Sequence, residues 1–278
     1  MIAVILPFYN NFDNTVYPLL DSIYRNTQNQ ISLYLVNDGS KEKFNLPANP
    51  PNITVKYIEH ENYGYLKSAN EAYKVASNDR KNDQFIFINS DTIVSPKWAY
   101  KLSNALFINK QIGIVCPCSN NSQQFSIYYN PKYTIEQWSS FIDKLIGNNS
   151  FGMYSRLPHG SCMLITRRCA DAVMKTYKRD VIFDPIYLKG YGEENDFGMA
   201  AYKLGFLTFC AVNTFIIHKG KGSFNQLSEN ELQKLFLNAR TVFKSRWSKD
   251  LSIPISVKAV NPSINAKYLS LKLKGLYS

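Results

Sequence analysis

The feature that most constrains the fold of this chain is the alternation of short apolar runs with amphipathic stretches through its first half. The apolar runs predict β-strands at Ile2–Leu6, Ser32–Val36, Thr54–Ile58, Gln84–Ile88 and Ile112–Cys116. The amphipathic stretches between them predict helices at Asn14–Arg25, Leu66–Ala76 and Pro96–Phe107. Strand–helix alternation of this kind predicts an α/β fold, in which a mostly parallel sheet is flanked by helices.

The pattern is looser between Pro117 and Pro158, where Asn, Ser, Gln and Tyr dominate. Further strands are predicted at Ser161–Thr166, Leu207–Val212 and Phe215–His218. Further helices are predicted at Ile135–Ile146, Arg167–Tyr177, Glu193–Leu204 and Ser228–Trp247. The chain has 278 residues, of which 45% are hydrophobic, and this is enough for one large domain, which we assign to residues 1–248.

Residues 249–278 have a different composition, in which lysines are interspersed with apolar and aromatic residues. This composition predicts a basic, amphipathic, helical tail at the C-terminus. Two interpretations of the tail are open. It packs on the domain, or it makes peripheral contact with an anionic membrane.

Charge and cysteine content restrict the classes of function. The formal net charge of +11 favours a phosphate-bearing partner, which could be a nucleotide, a nucleic acid or an anionic membrane. The five cysteines include no Cys-x-x-Cys pair, which argues against a disulfide scaffold or a zinc ribbon. The N-terminus has no basic leader, and no stretch approaches the roughly 18 apolar residues of a membrane span. We therefore expect a cytoplasmic protein, with contact at the inner face of the membrane as the alternative that the tail raises.

Polar residues follow four of the predicted strands, at the edge where ligands bind in parallel sheets. These segments are Pro7–Asn10, Asn37–Ser40, Asn62–Gly64 and Asn89–Thr92. Asp91 is a carboxylate at the end of a buried strand, and metal-bound diphosphate requires hard oxygen ligands of this kind. Taken singly, such segments are also typical of ordinary turns and helix caps. Their order along the chain makes them informative.

In that order, the segments resemble those of glycosyltransferase family 2. The first strand of the family ends in Pro-x-Tyr-Asn, as Pro7–Asn10 does, and its second strand commonly ends in Asp-Asp-Gly-Ser, which Asn37–Ser40 matches. Asn62–Gly64 with the later Asn70 matches the Asn-x-Gly segment of the family, and Asn89–Asp91 falls at its Asp-x-Asp metal motif. The resemblance runs from Met1 to about Trp247.

Two later segments extend the resemblance. Gly160–Ile165, followed by Arg167 and Arg168, is similar to a segment that borders the acceptor site in the family. Gly190–Phe197 is similar to the acidic helix start that supplies the catalytic base.

The resemblance implies the GT-A fold, with a single Rossmann-like sheet. It also implies an inverting hexosyl- or deoxyhexosyltransferase that moves a sugar from a UDP- or dTDP-sugar to a hydroxyl of a glycan or lipid-linked glycan. The implied cofactor is Mn²⁺ or Mg²⁺, and the implied context is the synthesis of lipopolysaccharide, capsule or cell-wall polysaccharide. No nucleic-acid partner is then expected.

The resemblance also assigns roles to individual residues. The nucleotide-binding residues would be Pro7, Tyr9, Asn10, Asp38, Asn62, Gly64, Lys67, Asn89 and Ser90. The residues beside the acceptor would be His159, Gly160, Ser161 and Trp98. Asp91 and His218 would bind the metal, since family members often place a metal-contacting histidine after a late strand. Asn37 and Asn89 stand where the family usually has carboxylates, which leaves Asp91 as the charged ligand of its motif.

The acidic run Glu193–Asp196 contains the candidates for the catalytic base. Its three carboxylates repel one another, and this repulsion raises the proton affinity of at least one of them. The alternative is that these residues only complement the dipole of the helix that they begin. Alignment with the family makes Glu194 the base, with Asp196 as the reserve candidate and Glu193 as the residue that orients the base.

Four rival functions are considered, and two of them predict motifs that are missing from this sequence. A dinucleotide-dependent oxidoreductase or epimerase would carry Gly-x-Gly-x-x-Gly after its first strand. A nucleotidyltransferase would carry a glycine-rich, basic first loop. A nucleic-acid-binding module would use the positive charge, and a catalytically inactive relative is compatible with Asn37 and Asn89.

Overall fold

The computed structural model describes residues 1–122, 125–146, 152–220, 228–249 and 258–259. Its strands are β1 (Ile2–Phe8), β2 (Ile31–Asp38), β3 (Ile53–His60), β4 (Gln84–Ile88), β5 (Thr92–Val94), β6 (Ile112–Ser119), β7 (Gly152–Ser155), β8 (Cys162–Thr166), β9 (Leu207–His218) and β10 (Lys258–Ala259). Its helices are α1 (Tyr17–Asn26), α2 (Tyr65–Asn78), α3 (Trp98–Ala105), α4 (Ile135–Ile146), α5 (Arg167–Thr176), α6 (Glu193–Lys203) and α7 (Glu229–Trp247). A π-helical turn (Phe12–Val16) precedes α1, and a 3-10 turn (Pro185–Tyr187) precedes α6.

The strands form one sheet with the order β10-β7-β9-β6-β8-β4-β1-β2-β3, and β5 pairs with β9 beside this path. The predicted parallel arrangement is confirmed for β1 to β4. β8 inserts antiparallel between β4 and β6, while β6 and β9 are parallel to each other. The sheet therefore has a parallel half, which contains the first strands of the chain, and a mixed half.

Helices cover both faces of the sheet. Successive side chains of β1 point to opposite faces, because strand side chains alternate. Ala3 and Ile5 belong to the apolar core that contains side chains from α2, α4, α5 and α6. Val4 and Leu6 belong to the core that contains side chains from α1 and α3. This double burial explains why the strands are continuous apolar runs in the sequence.

The element boundaries differ from the prediction at three places. The predicted helix start at Pro96 is a turn, and α3 begins two residues later because Lys97 has a left-handed backbone conformation (φ 62°). The predicted strands at Leu207–Val212 and Phe215–His218 are one continuous strand, β9. The short strands β5 and β7 were not predicted.

The predicted tail, 249–278, lies outside the described residues except for residue 249 and β10. Its two described residues in β10 pair antiparallel with β7. None of the described helices combines the length and the apolar composition that a membrane span requires.

Asn70 connects α2 to the segment before the 3-10 turn. Its side-chain amide donates to the carbonyl of Phe183 at 2.8 Å, and its side-chain oxygen accepts from the N–H of Phe183 at 2.9 Å. Asn70 is buried, so both hydrogen bonds form away from water. The residue that matches the family motif is therefore a structural link between two elements.

We expect Asn70→Ala to lower the free energy of unfolding by about 1–3 kcal/mol, because it leaves the buried N–H and carbonyl of Phe183 unpaired. Urea denaturation measures this change. The control is Lys74→Ala, an exposed position on the same helix, which should change stability by about 0.5 kcal/mol or less. Equal stability of the two variants would contradict the structural role.

Candidate active site

The loops that follow β1 and β2 are joined by hydrogen bonds. The N–H of Asn10 donates to the hydroxyl of Ser40 at 2.8 Å, and the side-chain oxygen of Asn10 accepts from the N–H of Lys41 at 2.9 Å. Gly39 has φ 75°, and a Cβ at this position would lie 2.6 Å from the backbone nitrogen of Asn62. The three predicted nucleotide-binding segments therefore meet at one edge of the sheet, and only glycine fits between two of them.

Asp38 holds the third of these segments in place. Its two carboxylate oxygens accept from the backbone N–H groups of Tyr63, at 2.7 Å, and Gly64, at 2.9 Å. The side chain is 3% exposed. A carboxylate has about four acceptor positions, so these bonds leave room for a further donor from a ligand. The predicted contact of Asp38 with a base or ribose stays a prediction.

Asn37 has a structural role. Its side-chain amide donates to the hydroxyl of Tyr57 at 3.0 Å, and its side-chain oxygen accepts from the N–H of Ser40 at 2.9 Å. A carboxylate at position 37 has no N–H to donate. It could bond to Tyr57 only if the tyrosine hydroxyl became the donor. The asparagine therefore suits the hydrogen bonds that surround it.

A group of aromatic and basic side chains lies next to this segment, with Tyr63 and Lys67 exposed and His60 largely buried. The ring of Tyr63 stacks on the ring of His60 with a centroid distance of 4.9 Å. The amino group of Lys67 lies 3.2 Å from the centroid of the Tyr63 ring. This places Lys67, which the sequence predicted to bind the nucleotide, beside Asn62 and Gly64. The sequence analysis did not identify Tyr63 or His60.

Asp91 and His218 come together although they are far apart in the sequence. Asp91 directly precedes β5, and β5 pairs antiparallel with β9 so that Thr92 lies opposite His218. The distance between Nε2 of His218 and Oδ1 of Asp91 is 3.3 Å. The predicted metal ligands are therefore adjacent, and Asp91 is only 3% exposed.

The surroundings of His218 orient its ring for ligation. Nδ1 lies 3.3 Å from the carbonyl oxygen of Asn121, which places a proton on Nδ1 and directs Nε2 toward Asp91. Burial lowers the pKa of His218, but the hydrogen bond and charge of Asp91 outweigh this effect and raise the pKa above its ordinary value. The pair thus favours a positive charge at this point, and a metal-ligating histidine typically has such a carbonyl partner.

The side chains present fit a divalent cation in part. Asp91 and His218 supply one oxygen and one nitrogen ligand, a combination that manganese accepts readily. Within the described ranges, no cluster of three or more His, Cys, Asp or Glu side chains could hold a metal ion. A cation at Asp91 and His218 would therefore need phosphate oxygens to complete its coordination.

The segment His159–Ser161 lies between this pair and the acidic helix. The rings of His159 and His218 are 6.1 Å apart between centroids. The carbonyl of Ser161 accepts from the N–H of Asn89 at 2.9 Å. A Cβ at Gly160 would lie 3.2 Å from the side chain of Glu194, so this glycine allows the glutamate to approach.

Three buried polar atoms around this segment have no hydrogen-bond partner among the residues that the structure describes: Nε2 of His159, Oγ of Ser161 and Oε2 of Glu193. Buried polar atoms are normally paired, so such a group marks a place where a polar ligand or water binds. Burial and the charge of His218 lower the pKa of His159 to about 4, and this histidine is therefore neutral near pH 7. The predicted acceptor residues His159, Gly160 and Ser161 thus share one polar location.

The acidic residues at the start of α6 have altered proton affinities. Burial raises the pKa of Glu194, although hydrogen bonds from Gly192 and Asn195 partly offset this effect. Burial and the charge of Glu194 raise the pKa of Glu193 well above its ordinary value. Burial and the charges of Glu193, Asp91 and Glu194 raise the pKa of Tyr191. This tyrosine therefore lies within electrostatic reach of Asp91 and of the two glutamates.

The comparison with known families identifies the chain. The family model described as Glycosyl transferase family 2 matches residues 3–173. The chain belongs to glycosyltransferase family 2. No curated protein matches the sequence as a relative.

Solved structures show that this glycosyltransferase has the GT-A fold. It is similar to S. aureus TarS 1-349 in complex with UDP, with a TM-score of 0.52 and 16% identity over 87% of this chain and 65% of that chain. It is also similar to GalNAc-T7 with UDP, GalNAc and Mn²⁺, with a TM-score of 0.56 and 13% identity over 97% of this chain and 54% of that chain. The chain thus spans less than two thirds of either protein.

Trp98 does not line the acceptor site of this glycosyltransferase, and the prediction that it does was wrong. Its side chain is fully buried in the core between α1 and α3. Its indole N–H donates to the hydroxyl of Thr27 at 2.9 Å. The amphipathic pattern of α3 could not distinguish a core aromatic residue from one that faces a ligand.

Asp196 lies at the centre of a buried ion-pair network. Its carboxylate accepts from Arg179 at 2.7 Å, Arg246 at 2.9 Å, the indole of Trp247 at 2.8 Å and the hydroxyl of Tyr187 at 3.3 Å. The side chain is 0% exposed. These contacts argue for a structural role, in which Asp196 ties α6 to α7, and against the predicted role as reserve base.

We expect Asp196→Asn to lower the free energy of unfolding of the glycosyltransferase by about 3 kcal/mol or more, because it leaves the buried guanidinium of Arg179 without its carboxylate partner. It also removes one of the two carboxylates that pair with Arg246. Urea denaturation measures the loss. The matched control is Asp171→Asn on α5, which is exposed and should unfold like the wild type. An unchanged midpoint for Asp196→Asn would rule out the structural role.

Proposed function

We propose that the chain transfers a sugar from a UDP- or dTDP-sugar to a hydroxyl of a glycan or lipid-linked glycan, with inversion at the anomeric carbon. The observation that carries the proposal is the proximity of Asp91 and His218 to the segment that contacts Glu194. One side of this arrangement suits a diphosphate with its cation, and the other suits a hydroxyl that must lose a proton. We place the reaction in bacterial surface-polysaccharide synthesis, which is the context that the family resemblance implies.

The donor would lie along the ends of β1, β2 and β4. Tyr9 and Asn10 follow β1, Asp38 ends β2 and Asn89 and Ser90 follow β4, so the predicted nucleotide-binding residues line one edge of the sheet. The net charge of +11 favours an anionic ligand. TarS and GalNAc-T7 have UDP bound in their structures, which supports a nucleotide donor here.

Asp91 and His218 would hold Mn²⁺ or Mg²⁺ against the diphosphate. When bound, the cation supplies positive charge that stabilises the leaving phosphate. The residues of the chain position this charge, since the carbonyl of Asn121 orients the ring of His218 and the pairing of β5 with β9 fixes Asp91 beside it. GalNAc-T7 contains Mn²⁺, which supports a divalent cation here.

Glu194 would accept the proton of the acceptor hydroxyl. Glu193 is more deeply buried, and burial together with the charge of Glu194 raises its pKa well above the ordinary value. Glu194 is partly exposed, contacts Gly160 and receives hydrogen bonds that favour its ionised form. The two glutamates thus divide the roles, with Glu194 as the base and Glu193 as the neighbour that orients it.

The competing proposal is a catalytically inactive relative that only binds a nucleotide-sugar. Asn37 and Asn89 favour it, because they stand where the family usually has carboxylates. Against it stands the position of Glu194, whose pKa burial raises and whose side chain lies beside Gly160. A carboxylate with raised proton affinity is suited to accept a proton and is not needed to bind a nucleotide-sugar.

We expect Glu194→Gln to lower kcat by about 10²–10⁴-fold and to leave the Kd for the nucleoside diphosphate unchanged, because the amide cannot accept the proton. Release of nucleoside diphosphate measures turnover, in a screen across donor sugars. In the wild type, the rate should fall on acidification at a pH above the ordinary glutamate value of 4.5, since the pKa of Glu194 is raised and the base must be ionised.

The control for this experiment is Glu229→Gln, the same substitution at an exposed position at the start of α7. It should have the kcat and the pH profile of the wild type. Full turnover by Glu194→Gln would exclude Glu194 as the base.

We expect Asp91→Ala and His218→Ala each to weaken Mn²⁺-supported binding of the nucleoside diphosphate by about tenfold or more, because each removes one protein ligand. Isothermal titration with Mn²⁺ and with EDTA measures the part of the affinity that depends on the cation. Asp171→Ala, which removes an exposed carboxylate from α5, is the matched control. If Mn²⁺ strengthens binding equally in all four proteins, Asp91 and His218 do not hold the cation.

A further inference from the structure

Four large apolar side chains are exposed on two elements that contact each other, the 3-10 turn with its following residue and α7. They are Ile186, Leu188, Phe236 and Leu237, with exposed fractions of 44%, 57%, 49% and 67%, and we call them the apolar patch. The side-chain amide of Asn238 donates to the carbonyl of Ile186 at 3.1 Å, which joins the turn to the helix. Exposed groups of this kind on a folded domain typically mark an interaction surface.

The backbone holds Leu188 outward at a cost in free energy. Leu188 has φ 60°, a conformation that is unfavourable for a bulky side chain. Gly190, Tyr191 and Gly192 also have positive φ values, of 143°, 69° and 92°. The fold thus keeps an unfavourable turn that exposes a leucine, and strain of this kind is typical of functional segments.

The apolar patch borders the candidate active site. The ring of Phe236 lies 4.4 Å from the ring of Tyr191 between centroids. Gly192, which follows Tyr191, donates its N–H to Oε2 of Glu194 at 3.1 Å, and a Cβ at Gly192 would lie 3.1 Å from the side chain of Ala239 in α7. A surface that binds through the patch would therefore lie beside the place where the acceptor hydroxyl reacts.

Basic residues surround the apolar patch. Lys189 follows Leu188, and both Lys189 and Lys234 lie close enough to Glu231 to lower its pKa, after the hydrogen bonds from Ser228. Arg240 and Lys244 are exposed and follow Leu237 at helical spacing, so they share its side of α7. The acidic residues of α7, Glu229 and Glu231, are confined to its first turn.

We propose that the apolar patch inserts into the surface of an anionic lipid bilayer, with the surrounding lysines and arginine on the lipid headgroups. Apolar side chains gain free energy at the boundary of headgroups and acyl chains, and basic side chains are attracted to anionic lipids. The contact requires no glycosyl transfer. Only its consequence, the presentation of a lipid-linked acceptor next to Glu194, rests on the proposed function.

Charge favours the bilayer over two other occupants. Residues 250–278 carry several lysines, among them Lys258, Lys267, Lys272 and Lys274, and would be repelled by the basic residues around the patch. A second copy of the chain would bring the same basic residues against one another across a symmetric interface. An anionic bilayer complements both the exposed apolar side chains and the basic residues around them.

The test is sedimentation of the full chain with vesicles of phosphatidylcholine alone and with vesicles that also contain phosphatidylglycerol. We expect binding to the anionic vesicles, and we expect Leu188→Ser combined with Leu237→Ser to weaken it by about tenfold or more. Phe107→Ser is the matched control, because Phe107 is 86% exposed and lies before β6, at the opposite edge of the sheet from His218. It should bind like the wild type.

Several outcomes would overturn the proposal. These are no binding by the wild type, equal binding by the double variant, and loss of binding only when residues 250–278 are removed. Light scattering that shows a dimer in the wild type and a monomer in the double variant, without vesicle binding, would identify a second copy as the occupant. Nucleoside diphosphate binding by the same variants, measured by titration, reports on the donor site separately, so failure of the membrane contact is distinguishable from failure of the proposed reaction.

Discussion

The antiparallel pairing of β5 with β9 is the constraint on which the candidate active site depends. It places Asp91, at the end of one half of the sheet, beside His218, at the end of a strand from the other half. Neither residue would be a ligand alone. A buried carboxylate beside an imidazole nitrogen that is directed toward it creates a position where positive charge is strongly favoured, and the surrounding hydrogen bonds keep it there.

Burial has opposite effects on the two sides of the site. At Asp91, burial strengthens the attraction for the neighbouring imidazolium of His218, because little water screens the carboxylate, and this attraction outweighs the effect of burial on the histidine itself. At Glu193 and Glu194, burial disfavours negative charge and raises both pKa values. The same sheet edge therefore combines a carboxylate paired with a histidine and two carboxyl groups of raised proton affinity, and the proposed transfer would use both.

The sequence predicts most of the fold because the buried strands are uninterrupted apolar runs with polar ends. It does not reveal β5, since a strand of three residues is too short to show a period. The roles of Trp98 and Asp196 depend on partners that are distant in the sequence, Thr27 for the first and Arg246 with Trp247 for the second. No local pattern reports such partners, so side chains of the right chemical type were assigned to the site although they support the core.

Asp196 has a consequence for how the molecule can be divided. It anchors the helix that begins with Glu193 and Glu194 to the last residues of α7, so α7 is held rigidly to the turn that carries these two glutamates. A shortened protein that ends before Glu229 would keep every residue of the family match, 3–173, together with Asp91, Glu194 and His218. It would nonetheless lose the hydrogen bonds from Arg246 and Trp247 to Asp196, and with them the contacts that fix the position of Glu193 and Glu194.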